Sequence, residues 1–246
     1  MNTRSDRQEF AYPRRVILRS FLRFAAGIAF KLLARVEIKG LENLPKSGPV
    51  ILAGNHFHFS DPVALLCLSK RQVEFVGGFR FPNAPTIVKF LPTLWGYFPV
   101  HRGAYSRSSL DYSTATLAKG GVVGIFPEGG AWAEVLRYPR SGIGFLAAES
   151  GAVIVPVGLS GFTGLFKIWR PKINMTVGKP IGPFQVDGKA MERKEALADI
   201  GKETMQGIAK LLPPHERGVY AEDKKTRDAA KEVAAYPFDQ KHMRGM

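Results

Sequence analysis

Cysteine is nearly absent from the sequence, since Cys67 is the only one among 246 residues. An intrachain disulfide is therefore excluded, and with it the class of small secreted proteins that depend on disulfides. Cys67 lies within an apolar run over residues 63–68, which favours a small buried hydrophobe over a reactive thiol. A reducing compartment is compatible with this composition.

Acidic residues are also scarce. The chain has 21 Asp and Glu against 35 Lys and Arg, a net charge of +14, which predicts an anionic partner: nucleic acid, an anionic membrane or a phosphorylated substrate. Residues 1–40 carry nine Lys and Arg and three acidic residues, interleaved with large aliphatic and aromatic side chains. This mixture favours a lipid interface over a DNA groove, and no motif supports nucleic-acid binding.

The basic N-terminal segment lacks a hydrophobic run long enough to cross a bilayer. Only seven uncharged residues separate Arg23 from Lys31, whereas a spanning helix takes about 20. The segment is not typical of a signal peptide either, because Arg19 and Arg23 interrupt its apolar stretch. Two interpretations remain: an amphipathic helix packed on the domain, or a helix that contacts an anionic membrane. The basic composition favours the membrane.

Strand-like and helix-like segments alternate along the chain, and the length suffices for one sizeable core. This alternation predicts an α/β fold with a largely parallel or mixed sheet flanked by helices, preceded by a basic amphipathic helical segment. We divide the chain into 1–34, 35–212 and a charged C-terminal tail, 213–246, in which residues 221–235 are interpreted as a surface helix or a loose segment. Strands are predicted at 50–53, 73–76, 97–100, 122–126, 153–157 and 173–177, and helices at 14–34, 62–69, 85–91, 106–119, 142–150 and 190–212.

Polar residues follow three of the predicted strands. His56 and Asp61 come after the first, Arg102 after the strand ending at residue 100, and Glu128 and Gly129 after the strand ending at residue 126. Sites in parallel sheets form beyond the carboxyl ends of strands. We therefore expect these residues to converge at one edge of the sheet.

A histidine and an aspartate five residues apart do not share a helical face. If the chain turns back between them, Asp61 can hold one ring nitrogen of His56 and leave the other to accept a proton, as a general base requires. Plainer interpretations remain open, and spacing alone favours them: Asp61 as a helix cap before Pro62, and His56 as an ordinary loop histidine. His58 competes for the role of base.

The other two groups are weaker signals by themselves. The planar guanidinium of Arg102 suits a phosphate, but a surface cation is equally compatible. Glu128, Gly129 and Gly130 form a segment in which glycines allow close backbone approach to a ligand, or simply a tight turn.

Taken in this order, four motifs resemble the glycerolipid acyltransferase family over about residues 35–180. They are Asn55-His56 with Asp61 (a His-x4-Asp pattern), Gly96 through Arg102-Gly103, Phe126-Pro127-Glu128-Gly129, and Val155-Pro156-Val157-Gly158.

The resemblance implies an O-acyltransferase of phospholipid biosynthesis, peripheral or monotopic on the cytoplasmic face of an anionic membrane. His56 would deprotonate an acceptor hydroxyl, Asp61 would orient His56, and the alkoxide would attack the thioester of acyl-CoA or acyl carrier protein. Arg102 with the Glu128–Gly129 turn would hold the phosphate of 1-acylglycerol-3-phosphate or a related lysophospholipid. No metal or bound cofactor is implied. Backbone amides of 128–130 are candidate oxyanion donors.

The sequence departs from the family pattern in two places. The glutamate motif usually continues Gly-Thr-Arg-Ser, but this chain has Gly130-Ala131, which removes a hydroxyl and a guanidinium; Arg137 or Arg140 are candidates to replace the latter. His58 stands where the family often has serine. Two rival interpretations follow: another acceptor such as glycerol 3-phosphate or a glycolipid, or a non-catalytic lipid-binding protein.

Overall fold

The structure, a computed structural model, describes residues 12–78, 94–96, 98–100, 107–131 and 133–234. Seven strands form one sheet in the order β1-β7-β6-β2-β5-β3-β4. Their bounds are β1 Arg35–Lys39, β2 Val50–Gly54, β3 Val73–Gly78, β4 Phe98–Val100, β5 Val122–Ile125, β6 Val153–Ser160 and β7 Lys172–Val177.

Five neighbouring strands, from β6 to β4, run parallel to one another. β7 is antiparallel to β6, and β1 is parallel to β7. The sheet is therefore mixed and largely parallel, and the predicted fold class is confirmed. β1 was not predicted, because it lies at the edge of the sheet with no buried residue and alternates charged with apolar side chains.

The helices agree with the predicted ones to within two residues, except that the helix expected at 85–91 lies outside the described residues. Their bounds are α1 Val16–Leu33, α2 Asp61–Leu68, α3 Arg107–Ala118, α4 Gly142–Ser150, α5 Ala190–Leu211 and α6 Lys224–Ala234. Short 3-10 turns lie at Leu41–Asn43, Phe162–Gly164, Pro214–Glu216 and Gly218–Tyr220.

The central strand β2 separates two hydrophobic cores and is buried throughout. Val50 and Leu52 face a core that includes residues of α1 and α2, whereas Ile51 and Ala53 face one that includes residues of α3, α4 and α5. Side chains on a strand alternate between faces, so a continuous apolar run is what a strand covered on both sides requires. β2 is thus a rigid support for the loop that follows it.

Helix α1 packs on the domain through its arginines. Arg19 is buried and forms an ion pair with Glu74 of β3, and Arg14 joins the same carboxylate. Arg23 donates to the Ser69 and Lys70 carbonyls at 2.8 and 2.7 Å.

The opposite side of α1 is apolar and exposed, the reverse of an ordinary surface helix. Its exposed side chains are Val16, Ile17, Leu18, Phe21, Phe24, Ile28, Leu32 and Leu33. Arg14, Arg19 and Arg23, which belong to the basic segment, therefore contact the domain, and hydropathy patterns do not reveal which side of a helix turns inward. In the described ranges, no helix has the length and apolar content needed to cross a membrane.

The C-terminal segment is attached to the loop after β5. The amide of Leu136 donates to the Glu216 carbonyl at 2.9 Å, and the amide of Val219 donates to the Leu136 carbonyl at 3.1 Å. Residues 224–234 form α6, so a helix, one of the two alternatives left open for this segment, is observed there.

Candidate active site

The loop that carries His56 begins directly after β2 and is fixed by its first residue. The side chain of Asn55 is buried and bridges to β6: its Nδ2 donates to the Leu159 carbonyl at 2.8 Å, and its Oδ1 accepts from the Leu159 amide at 2.7 Å. Buried amide groups need such partners, and here both are supplied by one residue. The position of His56 relative to the sheet is therefore well defined.

His56 and Asp61 lie in contact. Nδ1 of His56 is 3.1 Å from Oδ2 of Asp61. The same oxygen accepts from the backbone amides of Phe57 and His58, each at 2.7 Å. Three contacts to one oxygen hold the carboxylate in place, so it can fix both the ring orientation and the tautomer of the histidine.

This geometry shows that Asp61 is not the helix cap that spacing alone favoured. Asp61 is the first residue of α2, Ser60 is the cap residue, and the Asp61 carboxylate points back to the preceding loop instead of capping the helix. His58 is placed differently, because its Nδ1 is 2.7 Å from Oγ of Ser60. Burial lowers the pKa of His58 despite the nearby Asp61.

The imidazole of His56 stacks on Phe126, the residue after β5. The ring centroids are 4.3 Å apart with an interplanar angle of 23°, and Phe126 in turn stacks on Phe75 of β3 at 6.2 Å. The His56 side chain is 15% exposed. No described residue hydrogen-bonds to its Nε2, so one face of the ring is packed and one nitrogen is open to a substrate.

A buried ion pair hydrogen-bonds to both backbone groups of His56, the amide and the carbonyl. Oε1 of Glu128 accepts from the His56 amide at 2.8 Å, and Nη2 of Arg137 donates to the His56 carbonyl at 3.1 Å. Nε of Arg137 donates to Oε2 of Glu128 at 2.8 Å. Arg137 was one candidate to replace the guanidinium that the Gly130-Ala131 turn lacks, and its burial excludes contact with an acceptor.

Glu128 is 1% exposed, and its two oxygens are bonded to His56 and Arg137. Neither oxygen faces solvent, so the carboxylate itself is not placed to contact the acceptor that the Glu128–Gly129 turn is expected to help hold. Burial raises the pKa of Glu128 to about 7, although Arg137 and the two backbone amides oppose the shift. The charged form is favoured by these partners and disfavoured by desolvation.

The turn after Glu128 brings an exposed arginine to the same edge. Gly129 has a φ of 81°, and a Cβ at this position would meet Cδ of Arg140 at 2.8 Å. The Arg140 amide donates to the Pro127 carbonyl at 2.8 Å, which fixes the approach. The Gly129 amide donates to the Phe126 carbonyl at 3.0 Å and so is not free for an oxyanion.

The structure thus brings together His56, Asp61, Glu128 and Gly129, as expected from the ends of parallel strands. Arg102 lies outside the described residues. A histidine held by a carboxylate at the end of a parallel sheet defines a site that can activate a substrate hydroxyl.

Comparison with known proteins identifies this class. The model of the Acyltransferase family matches residues 35–160, just over half of the chain, and the chain belongs to this family. It is an O-acyltransferase, as the sequence motifs predicted.

Similar proteins agree with this membership. The chain is 27% identical over 191 residues to a 1-acyl-sn-glycerol-3-phosphate acyltransferase of Bacillus subtilis, covering 76% of this chain and 93% of that one. It is 29% identical over 187 residues to the chloroplastic enzyme LPAT1 of Arabidopsis thaliana, covering 71% and 51%. The structure of the acyltransferase PlsC from Thermotoga maritima has the same fold, with a TM-score of 0.53 at 19% identity over 78% and 79% of the two chains.

Proposed function

We propose that this protein transfers a fatty acyl group from acyl-CoA or acyl carrier protein to the hydroxyl of 1-acylglycerol-3-phosphate or a related lysophospholipid. His56 is the general base and Asp61 orients it. The contact of 3.1 Å between Nδ1 of His56 and Oδ2 of Asp61 carries this assignment. The names of the similar enzymes support the choice of acceptor.

The proton transfer follows from the tautomer that Asp61 selects. When Nδ1–H donates to the carboxylate, Nε2 carries the lone pair and accepts the proton of the acceptor hydroxyl. The hydroxyl oxygen attacks the thioester carbonyl, and the imidazolium that forms is stabilised by Asp61. Collapse of the tetrahedral intermediate breaks the carbon–sulfur bond. The thiolate takes the proton from Nε2, which returns His56 to its neutral form.

Glu128 and Arg137 act as positioning residues. They bind the amide and the carbonyl of His56, so the base cannot move along the chain direction without breaking a buried, charge-assisted hydrogen bond. Displacement of a catalytic group by about 1 Å can lower a rate by about 100-fold. The pair is thus required for the geometry of the base and not for contact with substrate.

Arg140 is the better candidate to replace the guanidinium that the Gly130-Ala131 turn lacks. It is exposed and lies over Gly129, whereas Arg137 is buried against Glu128. Arginine matches the geometry of phosphate oxygens. We assign Arg140 to the acceptor phosphate, together with Arg102, which the family resemblance indicates.

The acceptor is presented at the cytoplasmic face of a membrane that α1 contacts. The apolar side of α1 is exposed along its whole length while its arginines are used within the protein. An exposed apolar helix face of this extent is typical of proteins that lie on a bilayer. The net charge of +14 favours anionic lipids.

Substitution of the two histidines tests the assignment of the base. We expect His56→Ala to abolish transfer of labelled acyl groups, because no other described imidazole contacts Asp61. His58→Ala, the matched control in the same loop, should retain substantial activity. Equal losses in both variants, or full activity in His56→Ala, would contradict the proposal.

A panel of acceptors with one acyl donor separates the remaining alternatives. Lysophospholipids, glycerol 3-phosphate and a glycolipid are compared by thin-layer chromatography of labelled products. We expect acceptors with a phosphate monoester to be preferred, because Arg140 and Arg102 are assigned to it. A preferred glycolipid would refute that assignment, and the absence of free thiol release from acyl-CoA would favour a lipid-binding protein.

A further inference from the structure

A second exposed apolar surface lies far from α1 in sequence. The tip of the loop between β6 and β7, residues 166–170, carries Phe166, Ile168 and Trp169 with exposed fractions of 60%, 63% and 89%. Lys167 and Arg170 are interleaved with them. A tryptophan that is almost fully exposed between cations is unusual in water and typical of residues at a membrane interface.

The loop is built so that this tip is held outward. Phe162 and Leu165, at its base, are buried in the core, and the amide of Ile168 donates to the Gly164 carbonyl at 3.0 Å. Phe166 and Arg170 have φ angles of 70° and 47°, a region that side chains other than glycine rarely adopt. A strained backbone on a buried base indicates a shape that is retained for a purpose.

Two contacts place the tip between α1 and the active-site loop. Nη2 of Arg170 donates to the carbonyl of Lys31 at 3.0 Å, next to the exposed Leu32 and Leu33 of α1. On its other side, Phe166 stacks on Phe59 with the ring centroids 6.1 Å apart. Phe59 belongs to the loop between His56 and Asp61. The apolar surface of α1 therefore continues through the tip to the border of the active site.

We propose that the 166–170 tip is a second membrane-docking element, which inserts Ile168 and Trp169 into the interfacial region of an anionic bilayer. Lys167 and Arg170 are complementary to the anionic headgroups, and the continuity with α1 identifies the bilayer as the occupant. Through Phe166 and Phe59, docking places the active-site loop at the bilayer surface, where an acceptor can enter without leaving the lipid phase. The proposal rests on the proposed function, since it takes the acceptor to be a membrane lipid.

Trp169 is itself a probe for this insertion. Vesicles of phosphatidylcholine and phosphatidylglycerol, brominated at the upper acyl carbons, should quench the tryptophan fluorescence of the full chain. Trp95 is buried beside Arg19, so it contributes little to quenching. Trp132, the third tryptophan of the sequence, is replaced by phenylalanine in every protein that is compared. The quenching should therefore disappear in Trp169→Phe, and quenching that persists in this variant would overturn the proposal.

Vesicle affinity is compared between Ile168→Ser/Trp169→Ser and a matched control. Met191→Ser also removes an exposed apolar side chain, 73% exposed, but on α5, which covers the opposite face of the sheet. We expect the double variant to bind vesicles at least about ten-fold more weakly than wild type, and the control to bind like wild type. Equal affinities of the double variant and the control would refute docking by the tip. Shielding of Trp169 that grows with protein concentration in the absence of lipid would assign the surface to a second copy instead.

The two proposals fail in distinguishable ways. Transfer to a soluble short-chain acceptor should be unchanged in the double variant, because neither residue is part of the site. If wild type is inactive on every acceptor but Trp169 is quenched, the proposed reaction is wrong and docking stands. If transfer occurs and Trp169 is not quenched, docking is wrong and the proposed reaction stands.

Discussion

Two glutamates among the described residues, Glu74 and Glu128, are almost completely buried, and they differ in how many arginines pair with them. Glu128 is paired with one arginine, Arg137, and accepts two backbone amides. Glu74 of β3 is paired with Arg14 and Arg19, and accepts a further hydrogen bond from the hydroxyl of Tyr112 at 3.0 Å. The first pair holds the active-site loop, and the second holds α1 to the sheet.

The pKa values of the two groups shift in opposite directions. Burial raises the pKa of Glu128 to about 7, because one arginine does not offset the loss of water. At Glu74 burial also acts to raise the pKa, but the hydrogen bonds and charges of Arg19 and Arg14 outweigh it, and the pKa is lowered. The second guanidinium at Glu74 and the deeper burial of Glu128 both contribute to this difference.

This difference indicates that the two buried glutamates serve different structural purposes. Two arginines make the Glu74 site a strong structural attachment that stays charged. The Glu128 site has only one arginine to stabilise the charged carboxylate, and this carboxylate also binds the His56 amide.

The largest effect is expected from removing the charge of Glu74. Glu74→Gln leaves the side chain of Arg19 buried without a counter-charge, and breaking a buried pair in this way costs about 3–5 kcal/mol of unfolding free energy. Urea unfolding followed by circular dichroism measures the loss. Glu37→Gln is the control, because Glu37 pairs with Lys39 and Lys172 on the surface and should change little. Similar curves for both variants would show that the Glu74 pair does not attach α1.

The next effect is on catalysis and belongs to Glu128. We expect Glu128→Gln to lower kcat by about 100-fold with little change in the acceptor KM, because the His56 backbone loses its anchor while the substrate contacts remain. Steady-state kinetics on the folded fraction measures this split. Glu134→Gln, an exposed carboxylate in the same loop, is the control. An unchanged kcat, or a change confined to KM, would reject a positioning role for Glu128.

The two carboxylates should also give opposite responses of stability to pH. The folded-state pKa of Glu128 is raised above its usual 4.5, so its contribution is fully present below that value and is lost as the pH rises through about 7. Between pH 5 and 7 the free energy of unfolding of wild type should fall by about 2 kcal/mol relative to Glu128→Gln. Glu74 has a lowered pKa, so its contribution is constant in this window and is lost only below its usual 4.5. Parallel pH profiles for wild type and Glu128→Gln would show that the pKa of Glu128 is not raised.

The convergence of His56, Asp61 and Glu128 was predictable from the sequence. Each follows a strand of alternating α/β segments, and parallel strands end at one edge of the sheet. The resemblance to the family motifs then implied that His56 is a general base, a role that spacing alone did not favour. The contacts of Arg137 were not predictable, because it lies nine positions after Glu128 and outside any segment with helical or strand periodicity.

The orientation of α1 was not predictable for a different reason. Its sequence shows both apolar and basic residues at helical spacing, and the usual expectation turns the apolar side inward. The partner that reverses this is Glu74, a charged residue in a strand that lies about 60 positions further along the chain. Only the three-dimensional structure shows that the arginines pair with the buried carboxylate of Glu74.

The smallest effect, and the most direct test of the comparison, comes from Arg14→Ala. Arg14 is 22% exposed and Arg19 remains in place, so we expect a loss of about 1 kcal/mol in unfolding free energy. The variant leaves Glu74 with one arginine, as Glu128 has, and the pKa of Glu74 should therefore rise. Carboxyl carbon chemical shifts of Glu74 against pH measure the change, with Lys39→Ala as a surface control. If the pKa of Glu74 stays where it is in wild type, the number of arginines does not explain why the pKa values of Glu74 and Glu128 shift in opposite directions.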